Sequence, residues 1–105
     1  TEDEYRTVAR LRLAGLLLDE KKYDEALKQL DGAGAKEFAP LVDDRRGDIL
    51  LAQGKKDEAK AAFLKAWASM DPKVEYLRLI EAKLNVLGVD PTVGAAQAGA
   101  GNARK

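Results

Sequence analysis

The sequence predicts an all-α fold built from antiparallel helical hairpins. Apolar residues recur at the helical spacings of three, four and seven, as at Val8, Leu11 and Leu18. No stretch alternates apolar and polar residues over the length of a strand. A pattern of small and large apolar residues also returns 33 residues later, which favours stacked hairpins over an irregular bundle.

Five helices are predicted, and the breaks between them have local causes. Gly32 and Gly34 separate the second helix from the third, and Gly54 ends the third. Asp71-Pro72 supplies an N-cap and a first-turn proline for the fifth. The expected helices run from about Glu4 to Asp19, Asp24 to Leu30, Phe38 to Gln53, Lys56 to Met70 and Pro72 to Val86.

The length and composition predict one domain over residues 1–88. The chain has 105 residues, of which 46% are apolar, which is enough for one core. Residues 89–105 are rich in Gly and Ala and offer little to bury, so we expect a flexible C-terminal tail. The chain starts at Thr1 without an initiator Met or a signal-peptide pattern, and we expect it to belong to a longer protein.

The charge and residue types argue against several classes of function. Eighteen basic and eighteen acidic residues are interspersed, whereas nucleic-acid binding needs a concentrated basic face. The absence of His and Cys removes the usual nucleophiles, bases and metal ligands, so we expect no catalysis and no cofactor. Three aspartates, Asp43, Asp44 and Asp48, could hold a hard cation, but Arg45 and Arg46 lie among them and favour surface ion pairs. The longest apolar run has six residues, too short to span a bilayer.

The repeat consists of small residues that let two helices approach and larger residues that fill the layer between hairpins. Its turn, Lys22-Tyr23-Asp24-Glu25-Ala26, returns as Lys55-Lys56-Asp57-Glu58-Ala59. Chance similarity of two amphipathic hairpins is the alternative, but it does not account for the shared turn and the matched small residues. The matched positions are Ala14 with Gly47, Leu17 with Leu50, Ala26 with Ala59, and Leu30 with Phe63.

The second copy, from Gly47 to Pro72, resembles the tetratricopeptide repeat (TPR) pattern at its small, aromatic and proline positions. The first copy departs from it, because Lys21 stands where the turn glycine would be. The early tryptophan of the pattern is replaced by Arg10 and Asp43. The resemblance implies a fragment of a right-handed α-solenoid, with two repeats and a C-terminal capping helix.

In TPR proteins the first helix of each repeat lines a concave binding face, so the resemblance implies a partner-binding groove here. Repeats that capture acidic C-termini use Lys and Asn at these places. Here Leu11, Gly15, Asp44 and Asp48 occupy them, so a carboxylate clamp is not expected. A mixed apolar and acidic groove suits an extended or helical segment of a partner protein. Alternatively, the same leucines contact helix 5 or a neighbouring copy. The candidate partner-binding residues are Leu11, Gly15, Leu18, Asp44, Asp48 and Leu51.

Helix 1 carries leucines and alanines on more than one face, whereas a terminal helix of a solenoid is expected to turn a polar side outward. We therefore expect this helix to be covered. Preceding sequence or a second copy of the chain, through self-association, are the two candidates.

Stretches such as Ala26-Leu27-Lys28-Gln29-Leu30-Asp31 and Asp44-Arg45-Arg46-Gly47-Asp48 resemble the C-terminal half of the YfgM-type proteins over roughly residues 8–88. Those are bacterial inner-membrane proteins with one N-terminal anchor and a periplasmic TPR domain, and they are ancillary subunits of the SecYEG translocon. The resemblance implies a non-enzymatic scaffold on the periplasmic side that links translocon subunits, a periplasmic chaperone and nascent secreted chains. It implies no nucleic acid, and membrane contact only through the anchor. The alternative is an unrelated TPR adaptor of a cytoplasmic or envelope complex.

Overall fold

A computed structural model describes residues 1–93 of the chain. Within that part the structure is helical and contains no strand, which confirms the predicted fold class. The elements are α1 (Glu2–Asp19), α2 (Tyr23–Asp31), a short 3-10 helix (Lys36–Phe38), α3 (Ala39–Ala52), α4 (Lys56–Ser69) and α5 (Tyr76–Val86). No helix of this part is long and apolar enough to cross a membrane.

Two helix starts differ from the prediction by more than one residue. Helix α1 begins two residues earlier, at Glu2, because the Thr1 hydroxyl accepts a hydrogen bond from the Glu4 amide at 3.2 Å in a capping box. The predicted start of helix 5 at Pro72 is wrong, since α5 begins at Tyr76. The Asp71 carboxylate accepts from the Lys73 amide at 2.9 Å, so Asp71-Pro72 opens a turn instead of capping a helix.

Both complete hairpins close with the same turn, which confirms the repeat at the level of the backbone. Lys21 has a φ of 62° and Gly54, its equivalent 33 residues later, has a φ of 81°. The next amide in each case donates to the carbonyl five residues before it. These bonds join Lys22 to Leu17 at 2.8 Å and Lys55 to Leu50 at 2.9 Å.

The turn occurs a third time after α5. Gly88 has a φ of 83°, and the Val89 amide donates to the Leu84 carbonyl at 2.9 Å. The chain then enters a helical turn at Pro91, where the Asp90 carboxylate accepts from the Thr92 amide at 3.0 Å. Helix α5 thus ends as the first helix of a repeat does. Residues 94–105 lie outside the described part, so the flexible tail remains a prediction.

Two apolar clusters form the core, and small residues at the repeat positions set the helix spacing. A Cβ atom built on Gly47 would lie 2.5 Å from the Phe63 ring, so α3 and α4 approach as closely as glycine allows. The first cluster contains Ala14, Leu17, Ala26, Leu30, Ala33, Val42 and Ile49. The second contains Ala59, Phe63, Ala66, Met70, Ile80 and Leu84.

A buried hydroxyl fixes the linker between the two hairpins. Thr7 is fully buried, and its hydroxyl donates to the Asp3 carbonyl at 2.9 Å and accepts from the Ala35 amide at 3.1 Å. Because the bond from the Ala35 amide is buried, it holds the chain that enters α3 against α1.

Candidate protein-interaction surface

Helices α1 and α3 adjoin along the face predicted to bind a partner. A Cβ atom built on Gly15 would lie 3.3 Å from Nη1 of Arg45 and 3.4 Å from its Cζ. The guanidinium of Arg45 therefore lies over the backbone of Gly15. Arg45 itself is half-exposed, which leaves a cation at the seam between the two helices.

Helix α5 is joined to α3 on the same side by a network of charged and polar groups. Nζ of Lys83 lies 3.0 Å from Oδ1 of Asp44 and 3.0 Å from Oδ1 of Asp48. The Tyr76 hydroxyl donates to Oδ2 of Asp44 at 2.6 Å. The ammonium group also lies 5.5 Å from the centre of the Phe63 ring, within the range of a cation–π contact. One lysine on α5 thus bridges two aspartates one turn apart on α3.

Burial and pairing shift the pKa values of this network. Burial raises the pKa of Asp48 in spite of its hydrogen bond with Lys83. Burial alone would lower the pKa of Lys83, but hydrogen bonds to Asp48 and Asp44 more than offset it, and the pKa lies above its ordinary value. Burial and the bond to Asp44 raise the pKa of the Tyr76 hydroxyl. At neutral pH, Lys83 is therefore charged and Tyr76 is neutral.

A separate cleft of about 400 Å³ lies where the end of α4 meets the start of α3. Its walls are mainly apolar, and a few charged side chains stand among them. The residues that line the cleft include Lys36, Pro40, Leu41, Met70, Asp71 and Val74.

Comparison with known proteins identifies the family. The family model described as the tetratricopeptide repeat-like domain matches residues 1–89 of the sequence. The chain belongs to this family. No solved structure matched this TPR-like chain.

Two curated relatives of the TPR-like chain carry the name "Ancillary SecYEG translocon subunit". The protein of Neisseria gonorrhoeae is 37% identical over 82 residues, which are 78% of this chain and 39% of that protein. The protein of Escherichia coli K12 is 32% identical over 89 residues, which are 85% of this chain and 43% of that protein. The chain therefore spans about two fifths of the length of these relatives. The predicted resemblance to YfgM-type proteins is confirmed.

The structure separates the predicted partner-binding residues into three groups. Leu11 and Leu18 are half-buried against the first cluster, and Leu51 is half-buried against the second. Gly15 lies under Arg45. The two aspartates form the third group, and both pair with Lys83 of α5.

Asp44 is 3% exposed and lies behind the surface, bound to α5. It does not line an open groove, because Lys83 and Tyr76 fill the space in front of it. Asp48 keeps a partly exposed side chain at the edge of the network. Helix α5 thus contacts the two aspartates, whereas the alternative prediction of a helix 5 contact concerned the leucines. Binding of a partner by the six residues stays a prediction.

The acidic cluster on α3 is ion-paired, but not at the surface as predicted, since Asp43 is 7% and Asp44 3% exposed. Asp43 pairs with Arg46 at 3.1 Å, while Asp44 and Asp48 share Lys83. Among residues 1–93, no group of three acidic side chains is placed to hold a metal ion.

The sequence analysis did not predict that Lys83 and Tyr76 contact Asp44. Tyr76 does pack against the second cluster, but its hydroxyl also contacts an aspartate from 32 positions earlier. The spacing of the aspartates could have indicated this network. Asp44 and Asp48 lie one helical turn apart on α3, and two neighbouring carboxylates that another helix covers require a cation.

Proposed function

We propose that this chain is a non-enzymatic scaffold domain of an ancillary SecYEG translocon subunit. In this role it would connect the translocon with periplasmic chaperones on the periplasmic side of the inner membrane. Two things support the proposal: the stacked TPR-like hairpins, which present a fixed surface for protein binding, and the names of the two relatives.

The observation that carries the proposal is that α1, α3 and α5 are joined side by side. The guanidinium of Arg45 on α3 lies over Gly15 of α1, and Lys83 of α5 pairs with Asp44 of α3. We infer that the three helices form one binding face. Leu11 and Leu18 of α1 and Leu51 of α3 are half-buried. Rigid apolar anchors beside a few charges suit an amphipathic helix or an extended segment of a partner protein. Because Asp44 is covered, the charge that a partner meets comes from Arg45, Asp48 and the edge of Lys83.

The residue types support a binding role over a chemical one. The whole sequence has no His and no Cys, and both aspartates of the face are paired with Lys83. A general base needs a titratable group that is free to receive a proton near neutral pH. We therefore propose that the domain catalyses no reaction.

The test is binding of the purified chain to purified SecYEG in nanodiscs by biolayer interferometry. We expect saturable binding that Arg45→Glu weakens about tenfold, equal to about 1.4 kcal/mol. Lys65→Glu on the exposed side of α4 is the matched control and should leave the affinity unchanged. Equal affinity of the two variants would refute this face, and the absence of any binding would refute the translocon role.

A further inference from the structure

Helix α1 exposes an apolar stripe on the side that faces away from the rest of the chain. Tyr5 is 79% exposed, Leu13 40% and Leu16 62%, and Ala9 is exposed between them. Spacings of four, four and three residues place these side chains on one side of the helix. Exposed apolar residues scattered singly are ordinary, but a stripe along a helix indicates a contact surface.

The internal repeat shows what this stripe is built to contact. The residues of α3 that correspond to Ala9 and Leu16, 33 positions later, are Val42 and Ile49. Val42 is 6% exposed and Ile49 is fully buried, and both belong to the cluster formed with α1 and α2. In α3, therefore, these two positions pack onto the preceding hairpin.

Helix α5 uses the same two positions for the same purpose. Its closing turn at Gly88 follows Gly54 by 34 residues, so Tyr76 and Lys83 correspond to Val42 and Ile49. Both side chains contact the preceding hairpin through α3. On both α3 and α5, therefore, the side chains at these two positions contact the hairpin that precedes the helix.

The chemistry of each pair matches the chemistry of the surface below it. The polar pair of α5 meets aspartates, and the apolar pair of α3 meets an apolar layer. Ala9 and Leu16 on α1 are apolar, so the surface that covers them should resemble the layer below α3. We propose that the α1 stripe docks a further helical hairpin of the same repeat pattern, with small residues and leucines at its contact positions and no acidic pair. The layer below α3 consists of Ala14, Leu17, Ala26, Leu30 and Ala33.

Two further observations favour a hairpin over a second copy of α1. More than half of each curated relative lies outside the stretch matched by this chain, which is room for further hairpins of about this length. An antiparallel pair of α1 helices would bring Glu2 and Asp3 of one copy next to Asp19 and Glu20 of the other. Like charges placed together in this way oppose the pairing.

The test is a fusion in which residues 1–33 are duplicated directly before Thr1 of the full chain, which keeps the 33-residue register. We expect the thermal midpoint of the full chain to rise by about 5 °C or more, because the added hairpin buries the stripe. Hydrogen exchange should also slow in α1 of the original copy.

The matched control is the same fusion with Leu16→Glu in the original copy, which should lose the gain. In the unfused chain, Leu16→Glu should leave the midpoint nearly unchanged, since Leu16 is 62% exposed there, and this shows that the variant folds. An equal midpoint in the two fusions would overturn the proposal. So would an unfused dimer in sedimentation that Leu16→Glu dissociates, because the occupant would then be a second copy. This inference does not depend on the proposed translocon role.

Discussion

Nζ of Lys83 on α5 lies 3.0 Å from Oδ1 of Asp44 on α3, and the Asp44 residue is 3% exposed. The two residues are 39 positions apart, so this pair fixes how α5 lies against the second hairpin. A buried charge that keeps its partner is tolerated, whereas one that loses its partner is costly. The stability of α5 should therefore depend on this contact more than on any surface ion pair.

Lys83→Met should destabilise the chain by about 2 to 4 kcal/mol, because it keeps the apolar stem and leaves Asp44 and Asp48 together without their cation. Urea unfolding followed by circular dichroism measures the loss. Lys65→Met, at an exposed position of α4, should change stability by less than about 0.5 kcal/mol. A loss of similar size in both variants would show that the bridge contributes nothing specific.

Asp44→Asn and Asp48→Asn should differ although they change the same functional group one turn apart. Asp44→Asn weakens bonds to both Lys83 and Tyr76 at a buried site, and we expect a loss of about 2 kcal/mol. Burial already raises the pKa of Asp48, so its charge is unfavourable in the fold, and Asp48→Asn should cost less than about 1 kcal/mol. The reverse order in chemical unfolding would contradict the assigned network.

Stability should fall as the pH rises above about 10. The folded-state pKa of Lys83 lies above its ordinary value of 10.5, so its contribution is complete below that value and is lost as the pH passes the folded-state pKa. The pKa of Tyr76 lies above 10.0, so the unfolded chain ionises first and is favoured in alkaline solution. Thermal midpoints between about pH 9 and pH 11.5 measure the slope, which Tyr76→Phe should reduce. An unchanged slope in that variant would contradict this cause.

Gly47→Ala should destabilise the chain by about 1 to 3 kcal/mol, since the added methyl group would lie 2.5 Å from the Phe63 ring between α3 and α4. Gly34→Ala is the matched control. A methyl group at Gly34 meets no atom within 4 Å, so its unfolding midpoint should stay close to that of the natural chain. A neutral Gly47→Ala would show that the hairpin is less closely packed than described.

Lys21→Gly should stabilise the first hairpin by up to about 1 kcal/mol. Lys21 holds a φ of 62°, a conformation that costs a residue with a side chain about 1 kcal/mol and costs glycine little. Gly54→Lys at the equivalent position should be destabilising by a similar amount. If neither change moves the midpoint of thermal unfolding, the two turns are not strained as the repeat predicts.

The repeat made much of the fold predictable from sequence. The small residues at Ala14 and Gly47 and the shared turn fixed the pairing of helices, and the structure reproduces that register in its backbone bonds. The start of α5 was not predictable in this way, because Asp71-Pro72 suits both a helix start and a turn. The hydrogen bond from the Lys73 amide to Asp71 decides for the turn.

The candidate face was harder to predict than the fold. Leu11, Leu18 and Leu51 could be placed by register, but the role of Asp44 depends on Lys83, which is 39 positions away and has no repeat partner of its own type. Pairing across such a distance is a tertiary contact that local periodicity does not encode. The exposed side of α1, in contrast, was visible in the sequence as apolar residues on more than one face.

The most direct test of the interaction role is site-specific photo-cross-linking in bacterial membranes that contain SecYEG. A photoreactive phenylalanine analogue is placed at Leu51 on the proposed face, and at Lys65 on α4 in a matched control. We predict that Leu51 cross-links to a translocon subunit in a light-dependent manner and that Lys65 does not. Labelling of a translocon subunit from Lys65 alone, or from neither position, would contradict the proposal that this face binds the partner.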